Sequence, residues 1–133
     1  MLAVCDGLNQ RAVELGVRPD RVHTLYQGID PDMFCQGDRT SARQRLNLSS
    51  SQPIFVWVGR MVRVKRLDVL VESFQSVIAA RPDAKLYLLG EGSAETSIRQ
   101  LVALRGLSES VIVVGPVQQR ELPDWYRAAD ATV

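Results

Sequence analysis

Two cations five residues apart, Arg60 and Lys65, stand in the loop Gly59-Arg60-Met61-Val62-Arg63-Val64-Lys65-Arg66, just ahead of a helical pattern that begins near Leu67. The free N–H groups of a helix N-terminus carry partial positive charge, which disfavours cations and favours anions. A phosphate lying between the two side chains would turn that conflict into a binding site. The same loop also reads as a solvated basic turn, and the residues alone leave both readings open. It is no P-loop, because the glycine-lysine-serine/threonine pattern is absent, and it lacks the three-glycine spacing of dinucleotide enzymes. Gly90-Glu91-Gly92 has only two glycines and suits a tight strand-to-helix turn equally well.

Other chemistry-bearing residues offer less. The lone histidine, His23, falls in a predicted strand with no placed partner for general base work, which favours a structural role. Cys5 and Cys35 lie thirty residues apart, outside any CxxC pairing, with no basic neighbour to activate a thiol. With a single histidine in the chain, a zinc site is not expected. Trp57 reads as core, Trp125 and Tyr126 as cover for a sheet, and Asp68 and Glu72 as solvated positions on a helix. No nucleophile–base pair emerges.

The elements that must position these residues follow from hydropathy. Ile54–Val58, Leu86–Leu89 and Val111–Val114 are short apolar runs without polar alternation, and each ends at a glycine. Such strands are buried on both faces, as in a parallel sheet covered by helices. Between them, Leu67, Leu70, Val71, Phe74, Val77 and Ile78 recur at helical spacing until Pro82 forbids continuation past Arg81. Ile98, Leu101 and Val102 form a second helix face, with Gly106 as its C′ residue. Pro123 suits an early turn of a third helix, and Ala131-Thr132-Val133 opens a fourth strand.

Upstream, Val4–Leu15 reads as a helix ending at Gly16, Val22–Tyr26 as a strand, and Asp38 as the cap of a short helix through Leu46. The fold class expected is α/β, a Rossmann-like parallel sheet flanked by helices. Residues 1–48 are expected to form a helix, strand and linker leading into a nucleotide-binding domain at 49–133. The pattern stops inside a strand, so the expectation is a fragment, with self-association through the unfinished sheet edge. In such sheets ligands gather at the carboxyl ends of the strands, where Gly59-Arg60, Gly90-Glu91-Gly92 and Gly115-Pro116 lie.

Composition narrows the function classes. The chain has 133 residues, 46% apolar and 23% charged, with 16 Lys and Arg against 15 Asp and Glu for a net charge of +1. That is an ordinary globular domain with no global field to attract nucleic acid. No apolar run is long enough to cross a bilayer, and Met1–Cys5 lacks the basic leader of a secretory signal. A cytoplasmic location with reduced thiols is expected.

Taken in order, the motifs resemble glycosyltransferase family 4, whose members have the two-domain GT-B fold. The likeness covers nearly the whole chain: Leu15-Gly16-Val17, Arg21-Val22-His23, Gln27-Gly28-Ile29-Asp30 with Phe34, Trp57-Val58-Gly59-Arg60 with Lys65 and Leu67, Gly90-Glu91-Gly92-Ser93, Val114-Gly115-Pro116-Val117 and Leu122–Asp130. The resemblance implies the first part of a C-terminal donor-binding domain of a retaining, nucleotide-sugar-dependent enzyme. Arg60 and Lys65 would bind the donor diphosphate and stabilise charge on the departing nucleotide, with no metal and no separate cofactor. Gly59, Gly90, Glu91, Gly92, Gly115, Pro116 and Val117 would border the nucleoside. Gln27 stands where the family usually has Asn, and Arg66 where Gly often follows the Lys.

The family's paired glutamates and its acceptor domain would lie outside these 133 residues. Alone, the chain is therefore expected to bind nucleotide weakly and not to transfer sugar. The full enzyme would act on a glycan or lipid-linked acceptor, without nucleic acid, at the inner face of a membrane if peripheral. The alternatives are a stand-alone, non-catalytic nucleotide or sugar-nucleotide-binding module, and a structural α/β piece that dimerises through its edge.

Overall fold

All paired strands run parallel, and a helix lies in every connection between consecutive strands. The computed structural model describes residues 1–133 and divides into two compact units, Met1–Phe34 and Cys35–Val133.

In the first unit, strand β1 (Leu2–Ala3) pairs in parallel with β2 (His23–Thr24) across helix α1 (Asp6–Glu14). Ala3, Ala12 and Val22 are buried together, flanked by Val13 and Val17. Gly16, at φ +97°, ends the helix, and the next N–H, from Val17, returns to the Ala12 carbonyl at 3.0 Å. Two expectations change here. The strand read over 22–26 is only two residues long, and the leading Leu2–Ala3 is a strand because it finds β2 as a partner. His23 sits in that strand with its side chain exposed.

The second unit holds α2 (Arg39–Arg45), β3 (Ile54–Val58), α3 (Leu67–Ala80), β4 (Lys85–Leu89), α4 (Glu95–Leu104), β5 (Val111–Gly115), α5 (Leu122–Ala128) and β6 (Ala131–Thr132). Its sheet runs β5-β4-β3-β6, with every neighbouring pair parallel. Helices α3 and α4 cover one face, burying Leu67, Val71, Phe74, Ile98 and Val102 against Trp57, Leu86 and Leu88. Phe55 meets Phe74 edge to face at 5.6 Å between ring centres. On the other face Trp125 of α5 packs over Ile54, Val56 and Leu89, its ring 5.2 Å from that of Tyr87. Tyr126, expected beside it as cover, is 40% exposed.

β3 and β4 are covered on both faces as their unbroken apolar runs require, but β5 is not. It is an edge strand, and Val114, 37% exposed, bulges out where the register jumps between Val113 and Gly115. The Arg99 guanidinium, held by Glu95, donates to the outward Val113 carbonyl at 3.2 Å.

Helix α2 lies within the Cys35–Val133 unit together with the sheet. Asp38 caps it as expected, accepting from the Ser41 N–H at 2.7 Å. Arg43, only 2% exposed, then donates to the carbonyls of Ala128 (2.9 Å), Ser49 (3.3 Å) and Ser50 (2.9 Å) and to the Asp130 carboxylate (2.8 Å). Asp130 also accepts from the Ile54 N–H at 2.7 Å and from Arg39 at 2.6 Å. One charge pair thus ties α2, the start of β3 and the end of α5. Burial opposes the charged form of Asp130, but the Ile54 N–H and the Arg43 and Arg39 guanidiniums together hold its pKa below the ordinary carboxylate value.

Replacing Asp130 by Asn leaves Arg43 buried without its counter-charge and is expected to cost about 2–3 kcal/mol in urea unfolding at pH 7. A folded-state pKa below the unfolded one means this contribution is complete above about pH 4 and is lost as pH falls through the folded value. The stability gap between wild type and Asp130→Asn therefore narrows on acidification; a gap unchanged down to pH 2 refutes this account of the pair.

Candidate functional site

Three strands end side by side, and their loops are stitched together by backbone. The Gly59 N–H donates to the Leu89 carbonyl at 3.0 Å, and the Gly90 N–H to the Gly115 carbonyl at 2.7 Å. One step further out, the Met61 N–H donates to Glu91 and the Met61 carbonyl accepts from Ala94, both at 2.8 Å. These bonds satisfy irregular backbone that has left the sheet ladder. The approach is close enough that only glycine fits at position 90, which has φ +124°. A Cβ there would strike the Gly59 carbonyl oxygen and lie 3.0 Å from its carbon.

Beyond Met61 the chain makes a single 3₁₀ turn, Arg63–Lys65, closed by Lys65 N–H to Val62 C=O at 2.9 Å. Arg66 follows in the left-handed conformation (φ +50°, ψ +41°) and leads into α3, whose first turn has no side-chain cap. An arginine therefore occupies a backbone region that glycine tolerates best. Its guanidinium is engaged locally by Asp68, whose pKa that contact lowers.

A shallow groove of about 320 Å³ opens over the loops, lined by Val58, Gly59, Arg60, Leu89, Gly90, Glu91, Pro116, Val117 and Leu122. Six of the nine residues singled out from sequence meet here: Gly59, Arg60, Gly90, Glu91, Pro116 and Val117. Three do not line it. Gly115 is buried beneath, holding Gly90; Gly92 lies against the Met61 backbone; Lys65 is exposed on the 3₁₀ turn. The sequence reading missed Val58, Leu89 and Leu122, the apolar part of the wall. The first two are the last residues of their strands, so their position was a usable signal. It also missed Met61, which is wholly buried inside the basic loop.

Most surface arginines are paired, and Arg21 and Arg120 are the exposed exceptions outside this loop. Arg11, Arg18, Arg39, Arg45, Arg66, Arg81, Arg99 and Arg105 each pair with a carboxylate. Arg60, Arg63 and Lys65 are exposed and no ion pair or side-chain hydrogen bond ties them. Three unpaired cations within six residues make a local basic site on a chain of net charge +1. No group of three or more His, Cys, Asp or Glu side chains is arranged to hold a metal ion, and no helix is long and apolar enough to cross a membrane.

The family described as Glycosyl transferases group 1 matches residues 38–133. A D-inositol 3-phosphate glycosyltransferase of Catenulispora acidiphila is 36% identical over 138 residues, covering 94% of this chain and 32% of that protein. One from Xylanimonas cellulosilytica is 36% identical over 125 residues, covering 86% and 29%. The chain thus spans about a third of the length of these relatives. Among solved structures, sucrose-phosphate synthase from Thermosynechococcus elongatus superposes with a TM-score of 0.80 at 24% identity, over 98% of this chain and 33% of that one. The Anabaena HepE protein in complex with UDP and glucose gives 0.78 at 18% identity, over 98% and 36%. At these identities the two structures establish the fold, an α/β unit of GT-B type.

The stitched loops make a specific ordering of glycine substitutions. A Cβ at Gly115 (φ +93°) meets no atom within 4 Å, so Gly115→Ala incurs only backbone strain, about 1–2 kcal/mol. Gly90→Ala adds a collision with backbone and is expected to cost at least about 2 kcal/mol more in urea unfolding. Equal losses in the two variants would remove the close approach from the account.

Proposed function

From a chain that belongs to the glycosyl transferases group 1 family, we propose that the groove and its basic loop hold the nucleotide diphosphate of a sugar donor. The carrying observation is the unpaired state of Arg60 in the wall of a groove where glycines expose backbone, with Lys65 also exposed and unpaired on the 3₁₀ turn of the same loop. Cations kept out of ion pairs retain their charge for an incoming anion, and a diphosphate is the anion that two neighbouring cations suit.

In this reading the nucleoside lies along Gly90, Glu91, Pro116 and Val117, and the diphosphate reaches Arg60 and Lys65. As the bond from the sugar to the distal phosphate breaks, negative charge grows on the departing nucleotide. The two side chains offset it, which lowers the barrier without a metal ion or a further cofactor. The UDP held by the HepE structure and the sugar-transfer activities named for the relatives support a nucleotide-sugar donor. We place the chain in glycosyltransferase family 4, with retention of anomeric configuration and transfer to a glycan or lipid-linked acceptor in the cytoplasm. Acceptor contacts and transfer itself belong to the longer enzyme.

Titrating the folded chain with UDP, GDP and ADP tests the donor site. One nucleotide is expected to bind, and Arg60→Ala and Lys65→Ala are each expected to weaken it by about tenfold, the scale of one charge-assisted contact. Raising the salt concentration should weaken binding in the same direction, since both cations are exposed. A folded chain that binds none of the three at millimolar concentration overturns the proposal.

A further inference from the structure

We infer that Gly92 is a positioning residue for the cationic loop, acting through the backbone of Met61; the inference rests on the donor-site reading above. Met61 follows Arg60 directly and is wholly buried, its side chain set in the core with Trp57 and Leu67. Its backbone is gripped on both sides, by Glu91 C=O on its N–H and by the Ala94 N–H on its carbonyl. Gly92 lies between those two partners in sequence and packs against the backbone of the same residue, Met61. A Cβ at position 92 would strike the Met61 carbonyl oxygen and lie 2.8 and 2.9 Å from the Met61 carbon and nitrogen.

All three of those atoms are backbone, so no side-chain rotation relieves the collision. The Gly92 carbonyl is itself held by the Glu95 N–H at 3.0 Å, in the first turn of α4. Something must therefore shift: the turn, the start of α4, or Met61. Movement of Met61 carries Arg60 with it, because they are adjacent. It carries Lys65 too, through the turn that Lys65 closes on Val62. Gly92 thus touches neither cation yet sets where both emerge. The absence of a side chain at 92 is what lets the loop sit down on the β4–α4 turn.

Gly106 supplies the control. It also has positive φ (+67°), but it ends α4 at the opposite side of the sheet, and a Cβ there meets open space. Gly106→Ala strains the backbone without touching the loop.

The test uses the full chain and the nucleotide that the wild type binds, taken from UDP, GDP and ADP. Gly92→Ala is expected to weaken binding by about tenfold, while Gly106→Ala holds it within about twofold. Arg60→Ala, costly in the wild type, is expected to cost little more in the Gly92→Ala background, since the displaced arginine no longer reaches the ligand. That coupling would not arise from a merely structural role. Should Gly92→Ala fail to fold, Met61→Ala releases the same loop from its core anchor and is expected to weaken binding, with Met61→Leu restoring it. A Gly92→Ala or Met61→Ala chain that binds like wild type, or an Arg60→Ala loss equal in both backgrounds, overturns this inference alone. A wild type that binds no nucleotide overturns the donor-site reading with it.

Discussion

Backbone polarity at the ends of three parallel strands is the constraint on which the candidate site depends. A strand that leaves its sheet abandons the ladder, and each freed N–H or C=O must find another partner or face water. Here the partners are the last residues of the neighbouring strands and the turn beyond them: Gly59 on Leu89, Gly90 on Gly115, and Met61 on Glu91 and Ala94. The loops therefore form a second, irregular ladder above the first. Glycine is required where two main chains come within contact distance, and at Gly90 and Gly92 any side chain would occupy a neighbour's carbonyl. Backbone exposed at Gly59 and Gly90 forms part of the groove wall.

The opposite end of the sheet is organised by charge. Arg43 and Asp130 bring together the cap of β3, helix α2 and the exit of α5, using carbonyls that no strand or helix satisfies. The division of labour follows from geometry. At the carboxyl ends the loops are adjacent and can bond to each other. At the amino ends the segments arrive from distant parts of the sequence, and a long, multiply donating side chain spans the gap. Basic residues therefore serve two ends differently: Arg43 is buried and fully bonded, Arg60 and Lys65 are exposed and unpaired.

Much of this was legible in the residues. Continuous apolar runs marked β3, β4 and β5, the spacing from Leu67 to Ile78 marked α3, and Asp38 and Gly106 marked helix ends through local capping chemistry. Long-range pairing was not legible. Leu2–Ala3 is too short to carry a period and is a strand only through His23–Thr24. Arg43 looks like any surface arginine in α2 until Asp130 and Ala128 close over it, so the tie between α2 and the sheet has no local mark in the sequence. For the site, strand-end glycines located the groove, since each ends an apolar run. The place of Lys65 off the groove and the clasp on Met61 depend on the 3₁₀ turn, whose sequence has no distinctive mark.

The blunted edge at β5 has a consequence for assembly. Strand recruitment needs a straight run of free carbonyls and amides, and here Arg99 occupies one carbonyl while the bulge at Val114 throws the next out of register. The Val113–Gly115 stretch of β5 is thereby a poor template for an added strand, despite its apolar sequence.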